Sequence, residues 1–389
     1  MGYEPTVFNQ LFNFIPRHGF EKSVKAHGAD RYAKSFKAWH QFLLLLYAQT
    51  TGKQSLRDIE GGLQLHHARL YHLGLKPIPR STIADGLERR ECSLFEELFH
   101  VMVRQTTQKA PSHSFRFKNP LYSIDATTID LCLSVFNWAK FRKQKGAIKL
   151  HCQLDHAGHI PNFVHISDGK MHDVKATEGF FTLSPDSIYC FDKAYVSYEW
   201  LYSIHKTKAF FVTRAKTNMN YRITGQHSEG GKKGVLSDRI IKLNGYAAAK
   251  KYPSKMRLVV FRDEESGKVY HFITNNFRLA AATIAAIYKQ RWQIELFFKW
   301  IKQNLKIKTF LGTSKNAVMA QVWVAMIYYL LLAYIKFMSK TRLSLTAFAR
   351  RVKEGLMMQF DLIELLCLAP SKPLKPPDEY NASQMVFIL

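Results

Sequence analysis

Acidic residues are scarce in this chain. Thirty Asp plus Glu face 56 Lys plus Arg, which leaves a formal net charge of +26 and a pI near 9.8. A deficit of that size excludes an acidic, cation-buffering protein and sets up a positive field that concentrates polyanions, nucleic acid foremost. Anionic membrane surfaces and ribosomal partners are the plainer competitors. Cysteine is also sparse: Cys92, Cys132, Cys152, Cys190 and Cys367 form no C-x-x-C pair. That pattern excludes a disulfide framework and points to a reduced, cytoplasmic protein. The first residues, Met1-Gly2-Tyr3-Glu4-Pro5, have neither the basic start nor the apolar run of a leader peptide. Long apolar runs are limited to one, Val318 to Ile335, with Gln321 as its only strongly polar residue. It is barely long enough to cross a bilayer, carries Tyr328, Tyr329 and Tyr334, and has no second span to pair with. A helix buried in a large core is the expectation, and no membrane partner. No internal repeat is visible.

Hydrophobic residues make up 47% of the 389 residues, enough for a sizeable core and more than one domain. Residues 1–112 read as helical, with an apolar run at Phe42-Leu43-Leu44-Leu45-Leu46-Tyr47. Thr82 and Asp85 fit a helix-start pattern after Pro77 and Pro79. Basic residues Arg69, Lys76, Arg80, Arg89 and Arg90 would suit a helix-turn-helix binding DNA ends, and a plain helical bundle fits equally well. The texture turns strand-like at Leu121 to Ile129, then at Ala147 to Leu154 and Pro161 to Ile166, joined by the turn at residues 156–159. A short helix is expected at Val174 to Leu183, a buried strand at Ser187 to Phe191, a helix at Tyr195 to Lys206 and a strand at Ala209 to Thr213. Three hairpin-linked strands followed by crossovers imply a mixed sheet covered by helices. Residues 113–213 would form the first part of this α/β domain. Residues 214–278 read as a β-rich insertion with a hairpin, Arg257 to Phe261 and Val269 to Thr274. Residues 279–345 would complete the domain with one long helix, Ala280 to about Lys306, and the apolar helix. Residues 346–389 would be a C-terminal helical segment and a proline-rich, loosely ordered tail.

The most informative acid stands in a basic field. From Leu279 to Lys353 there are 13 Lys or Arg and one acid, Glu295, in 75 residues. At about 100° per residue, Tyr288, Arg291, Glu295, Lys299 and Lys302 fall within roughly 80° of one another on a helix. One carboxylate flanked by cations suits a metal-ligating acid beside a phosphate backbone; pairing with Arg291 or Lys299 is the plainer reading. Divalent metal needs more than one hard oxygen ligand. Asp125, within an apolar strand, and Asp192, ending the run Ile188 to Phe191, are the best partners, because neighbouring strands would set them side by side. Trp292 reads first as a packing residue and second as a platform for a displaced base.

These residues carry a resemblance. Tyr288-x2-Arg291-x3-Glu295-x6-Lys302 is similar to the Tyr-Arg-Glu-Lys signature of DDE transposases of bacterial insertion sequences, specifically the insertion sequence 4 family. Asp125-Ala126-Thr127-Thr128 resembles that family's first Asp motif, and Phe191-Asp192-Lys193-Ala194-Tyr195 its second, with Asp186 the nearest rival acid. The likeness covers roughly residues 115–340. It implies a ribonuclease-H-like mixed sheet flanked by helices, with a β-rich insertion and an N-terminal helical domain that binds DNA ends. It also implies catalytic and metal-ligating roles for Asp125, Asp192 and Glu295, served by Mg²⁺ or Mn²⁺, two ions about 3.5–4 Å apart. Tyr288, Arg291, Lys299 and Lys302 would hold DNA. The partners implied are double-stranded DNA, as element ends and target, and a second copy of the chain on it. A non-catalytic DNA-binding remnant and a ribonuclease-H-like nuclease are the alternatives. A crowd of His151, Cys152, Asp155, His156, His159, His165, Asp168, His172 and Asp173 matches no standard zinc spacing, and strand alternation would scatter it over both faces.

Overall fold

The computed structural model describes residues 5–142, 145–169, 181–228, 234–307 and 309–367. The helix expected at Val174 to Leu183 falls largely outside them, as does the proline-rich tail.

The chain opens with helices, among them Arg17–Ala26, Ala38–Thr51, Leu56–Leu65, Arg80–Arg89 and Ser93–Thr107. Ala38–Thr51 buries its apolar run on every side and stops at Gly52, whose φ of 77° gives the left-handed cap. Leu56–Leu65 starts on a reciprocal cap: the Asp58 amide donates to Ser55 Oγ and the Ser55 amide to the Asp58 carboxylate, each at 3.1 Å. The helix start read at Thr82 and Asp85 is not formed. Arg80–Arg89 begins two residues earlier, directly after Pro79, and the Arg80 amide finds the Glu60 carboxylate at 3.2 Å. Proline's fixed φ and missing donor suit that position better than an internal threonine cap. Leu56–Leu65 and Arg80–Arg89 are separated by residues 66–79, which hold a further short helix at His67–Leu70. The three- or four-residue connection of a tight helix-turn-helix is therefore absent between them.

A single sheet runs through the rest. Its strands are β1 (Leu121–Leu131), β2 (Lys140–Arg142), β3 (Lys145–Asp155), β4 (Ile160–Asp168), β5 (Ile188–Phe191), β6 (Phe210–Arg214), β7 (Tyr221–Ser228), β8 (Val235–Leu243), β9 (Met256–Arg262) and β10 (Val269–Thr274). The order is β2-β3-β1-β5-β6-β10-β9-β8-β7, with β4 also on β3. Strands β4, β3 and β1 are antiparallel, whereas β1, β5 and β6 are parallel, and helix Tyr198–Lys206 crosses over between the last two. Three hairpin-linked strands followed by two parallel ones make the ribonuclease-H-like mixed sheet. Strands β7 to β10 do not form a sheet of their own: β10 pairs antiparallel with β6 and carries the same sheet outward.

The apolar run of the C-terminal third is helix Lys315–Ser339, and 94% of its most apolar stretch is buried. Helices Ser93–Thr107 and Ala38–Thr51 pack on it together with β4, so the N-terminal helices and this side of the sheet share one hydrophobic core. A helix apolar all round needs such a wrapping.

Candidate active site

The register of the parallel strands sets the first two acids side by side. Ile124 of β1 is level with Phe191 of β5. Asp125 and Asp192 each follow by one residue: Asp192 lies just past the carboxyl end of β5, where sites in open α/β sheets form, and Asp125 lies beside it where the longer β1 runs on past the parallel pairing. Asp192 serves as the cap of a short turn, its carboxylate accepting from the Ala194 amide at 3.2 Å, and the Asp125 carboxylate accepts from the Ala126 amide at 2.8 Å.

The third acid arrives on a helix laid across β1. The single helix expected from Ala280 to Lys306 is two, Ala281–Gln290 and Trp292–Asn304. Arg291 is the junction: its amide bonds to Tyr288 O at 3.1 Å and its carbonyl accepts from the Ile294 amide at 3.2 Å. Both bonds span three residues, a tightening typical of functional positions inside helices. From there the Arg291 guanidinium reaches Glu295 at 2.6 Å and Asp125 at 3.5 Å. The Tyr288 hydroxyl donates to Asp192 at 3.4 Å. Asp125 and Glu295 thus share Arg291, and Asp192 stands beside them on Tyr288, whose ring lies 5.6 Å from the Arg291 guanidinium; the three acid side chains are between 22% and 32% exposed.

Two further residues join these acids: Arg214, absent from the sequence reading, and Tyr195, which closes the second Asp motif without a role of its own. Arg214, which ends β6, pairs with Asp192 at 2.8 Å, and its guanidinium lies 5.7 Å from the Tyr288 ring, whose centroid is 5.6 Å from Arg291. The signal was present: Arg214 is the first charged residue after the apolar run of the next parallel strand, as Asp192 is on β5. The Tyr195 hydroxyl contacts Asp125 at 3.5 Å. Burial alone would raise the Asp192 pKa, but the Ala194 amide and the Arg214 and Arg291 charges outweigh it and hold the carboxyl below its usual range. Burial, helped by the Asp192 charge, pushes the Tyr288 phenol up to about 12. Burial works against the Arg291 cation, yet Tyr288, Glu295 and Asp125 hold its pKa above the ordinary value.

The other expected residues lie apart. Lys299 is exposed one turn beyond Glu295. Lys302 lines a cavity of about 280 Å³ with Thr128, Ile129, Asp130 and Ile307, further along β1. Trp292 is not a packing residue, being 55% exposed beside Arg291. Asp186 precedes β5, with its amide bonded to Lys208 O, and so sits at the opposite end of the strand from Asp192. In the histidine-rich stretch, His151 and His165 face each other across β3 and β4 with rings 6.2 Å apart, while His156 bonds to Ser123 at 2.7 Å. His172 and Asp173 lie outside the described residues.

Hard carboxylate oxygens are the right donors for Mg²⁺ or Mn²⁺, and Arg291 shows that the space between Asp125 and Glu295 accepts a cation. The side chains are not a closed ligand set, however. Among the described residues no three His, Cys, Asp or Glu side chains stand grouped for an ion. Guanidiniums stand among the acids instead.

A family model described as the transposase DDE domain matches residues 116–331, more than half of the chain, and one described as a domain of unknown function matches residues 4–76. The chain is similar to the candidate transposase y4zB of Sinorhizobium fredii, at 32% identity over 309 residues, covering 78% of this chain and 85% of that protein. It is similar to a candidate transposase for insertion sequence element IS5377 of Geobacillus stearothermophilus, at 28% identity, 72% of this chain and 75% of that one. A candidate transposase for element IS4SA of a Synechocystis strain is 21% identical over 65% of this chain and 70% of its own length.

Proposed function

The chain belongs to the family of transposases with a DDE domain, and from that premise we propose that Asp125, Asp192 and Glu295 are the acids through which it cuts and joins DNA. Metal-dependent strand cleavage and transfer is the activity of this family, and a transposase is what the chain is. The observation that carries the residue assignment is that Arg291 joins Asp125 of β1 to Glu295, while Tyr288, three residues before Arg291, donates to Asp192 at the end of β5.

The family depends on divalent metal, and we assign two ions, Mg²⁺ or Mn²⁺, to oxygens of Asp125, Asp192 and Glu295. Bound there, the ions would supply Lewis-acid activation of water and charge stabilisation for an in-line displacement. The protein's own part is positioning. For an ion to share Asp125 and Glu295, the Arg291 side chain must turn outward, which would aim a guanidinium fork at a phosphate next to the scissile bond. Arg214 and the Tyr288 hydroxyl, both on Asp192, would hold the neighbouring phosphate. Lys302 and the exposed Lys299 extend the cationic strip along the helix, and the exposed Trp292 ring is free to stack on a displaced base.

The partner class is DNA. We further propose duplex element ends and target as substrates, a homodimer on DNA, and a cytoplasmic, nucleoid-bound location. In this division of labour residues 1–112 bind the ends, 113–213 and 279–345 carry the chemistry, 214–278 are the β-rich insertion and 346–389 the C-terminal segment. The test is Mg²⁺- or Mn²⁺-dependent nicking and joining of duplexes carrying the sequences that flank the gene. Wild type should give joined products, and Glu295→Gln neither nicks nor joins. Full activity in Glu295→Gln would overturn the assignment, and cleavage without joining would make the protein a nuclease.

A further inference from the structure

The turn after helix Arg17–Ala26 carries a feature that the acid cluster leaves unused. Tyr32 is 87% exposed, and its φ of 67° places it in the left-handed region that a residue with a bulky side chain adopts only under constraint. The constraint is visible. Arg31 N donates to Gly28 O and Ala33 N to Asp30 O, each at 2.9 Å, and the Asp30 carboxylate accepts from the Ala38 amide at 2.6 Å. The Arg31 guanidinium sits 5.3 Å from the Tyr32 ring centroid.

Tyr32 borders a groove of about 580 Å³ between this turn and helix Arg80–Arg89. Arg31, Lys34 and Arg89 line it, with Asp85 and Glu91 as its acids. Arg90 belongs to the wall: it donates to Ala29 O, Phe36 O and Gln41 and is not available to a ligand. Gly86 allows the close approach of helix and turn, since a Cβ there would stand 2.5 Å from the Phe36 ring. An aromatic ring held out into water on a constrained backbone, backed by a cation at the border of a basic groove, packs nothing inside the protein. It is the arrangement that a strand of nucleic acid recognises, phosphates on cations and a base on the ring.

We propose that this groove is a second DNA-binding site, remote in sequence from the acids, in which Arg31, Lys34 and Arg89 hold phosphates and Tyr32 stacks on an unpaired base. It rests on the reading that the partner is DNA, and it gives a role to part of residues 4–76, the matched domain of unknown function. The test uses the full chain in EDTA and fluorescein-labelled duplexes of random sequence, blunt or with a short single-stranded overhang. Tyr32→Ala should weaken binding of the overhang duplex about tenfold and of the blunt duplex less than about twofold, with Tyr32→Phe restoring it. The double variant Arg31→Ala/Lys34→Ala should weaken both and flatten the slope of log affinity against log salt by about two.

Tyr32→Gly separates binding from folding, because glycine tolerates the left-handed turn. It should melt about 1 °C higher or more while losing the overhang preference. Stability and binding falling together in that variant, or unchanged overhang affinity and salt slope in all variants, would overturn the proposal. A wild-type chain that binds in this way but never cleaves would remove the acid assignment and leave the groove in place.

Discussion

Two sets of carboxylates and guanidiniums sit at opposite extremes of solvent access. Arg257 on β9 and Asp238 on β8 are 1% and 0% exposed and meet through two bonds of 2.6 and 2.7 Å. Arg257 also donates to Asn276 O and Leu279 O, and Asp238 accepts from Ser228, so every charge is satisfied. Those two carbonyls lie just ahead of helix Ala281–Gln290, which carries Tyr288. The buried pair thereby ties the outer strands to the helix that presents the site. The acid cluster is the reverse: part-exposed, with Nε of both Arg214 and Arg291 lacking a partner among the described residues. A closed pair can only hold position. An open one can exchange its cations for others, which phosphoryl transfer requires.

The comparison breaks first on activity. Glu295→Gln should cost at least about 10³-fold in metal-dependent nicking, while its melting temperature stays near wild type because that carboxylate is partly exposed. The buried pair should behave oppositely. Arg257→Ala leaves an unpaired buried carboxylate and should destabilise the fold by about 3–5 kcal/mol in chemical denaturation. Arg257→Met with Asp238→Leu should recover most of that loss, since the desolvation cost goes with the charges. A double variant as unstable as the single one would mean that the carbonyl bonds to Asn276 and Leu279 dominate.

Much of this was legible in residues. The strand order, the side-by-side aspartates and the isolated Glu295 follow from β-branched runs, from parallel register and from the near absence of acids in residues 279–353. Two things were not. The break at Arg291 leaves no mark, since arginine is a good helix former and the change is one of hydrogen-bond spacing. The continuity of β10 with β6 is a long-range pairing that no local pattern encodes. Arg214 was readable as the first charged residue after the apolar run of β6, although its pairing with Asp192 is a contact between strands that no local pattern shows. The threonine cap read at Thr82 failed because Pro79 had already fixed the start.

Arg214 sharpens the contrast at a smaller scale. Arg214→Ala removes the guanidinium from Asp192 and one flank of the Tyr288 ring. Nicking at saturating DNA should fall about 10- to 100-fold, with stability changed by less than about 1 kcal/mol. Equal loss of stability and rate would make Arg214 a structural residue like Arg257.

A change of pH isolates what the cations do. Asp155, at the end of β3, is 7% exposed, but no ion pair joins it among the described residues. Burial pushes its carboxyl up to about 6 against the opposing pull of the Ala157 amide and His113. Asp238, more deeply buried but paired with Arg257, is held below the ordinary value despite its burial. The sign for Asp155 runs against the usual acid. Below about pH 4 the carboxyl is neutral in both native and unfolded chains and has no effect. As pH rises from about 4 to 6 the unfolded chain releases the proton first, so native stability is lost and stays lost above 6. A shift from about 4 to 6 corresponds to at most about 3 kcal/mol. Asp155→Asn keeps an acceptor for the Ala157 amide and never ionises, so it should be more stable than wild type at pH 8 and level with it at pH 4. Neighbouring His156, pushed down to about 3 by burial and by the charges of His159 and His113, loses stability for the fold as pH falls from about 6.5 towards 3. That loss is common to both proteins and cancels in their difference. Thermal melts of the pair at the two pH values therefore read Asp155 alone, and an equal gap at both would mean that its burial does not govern its charge.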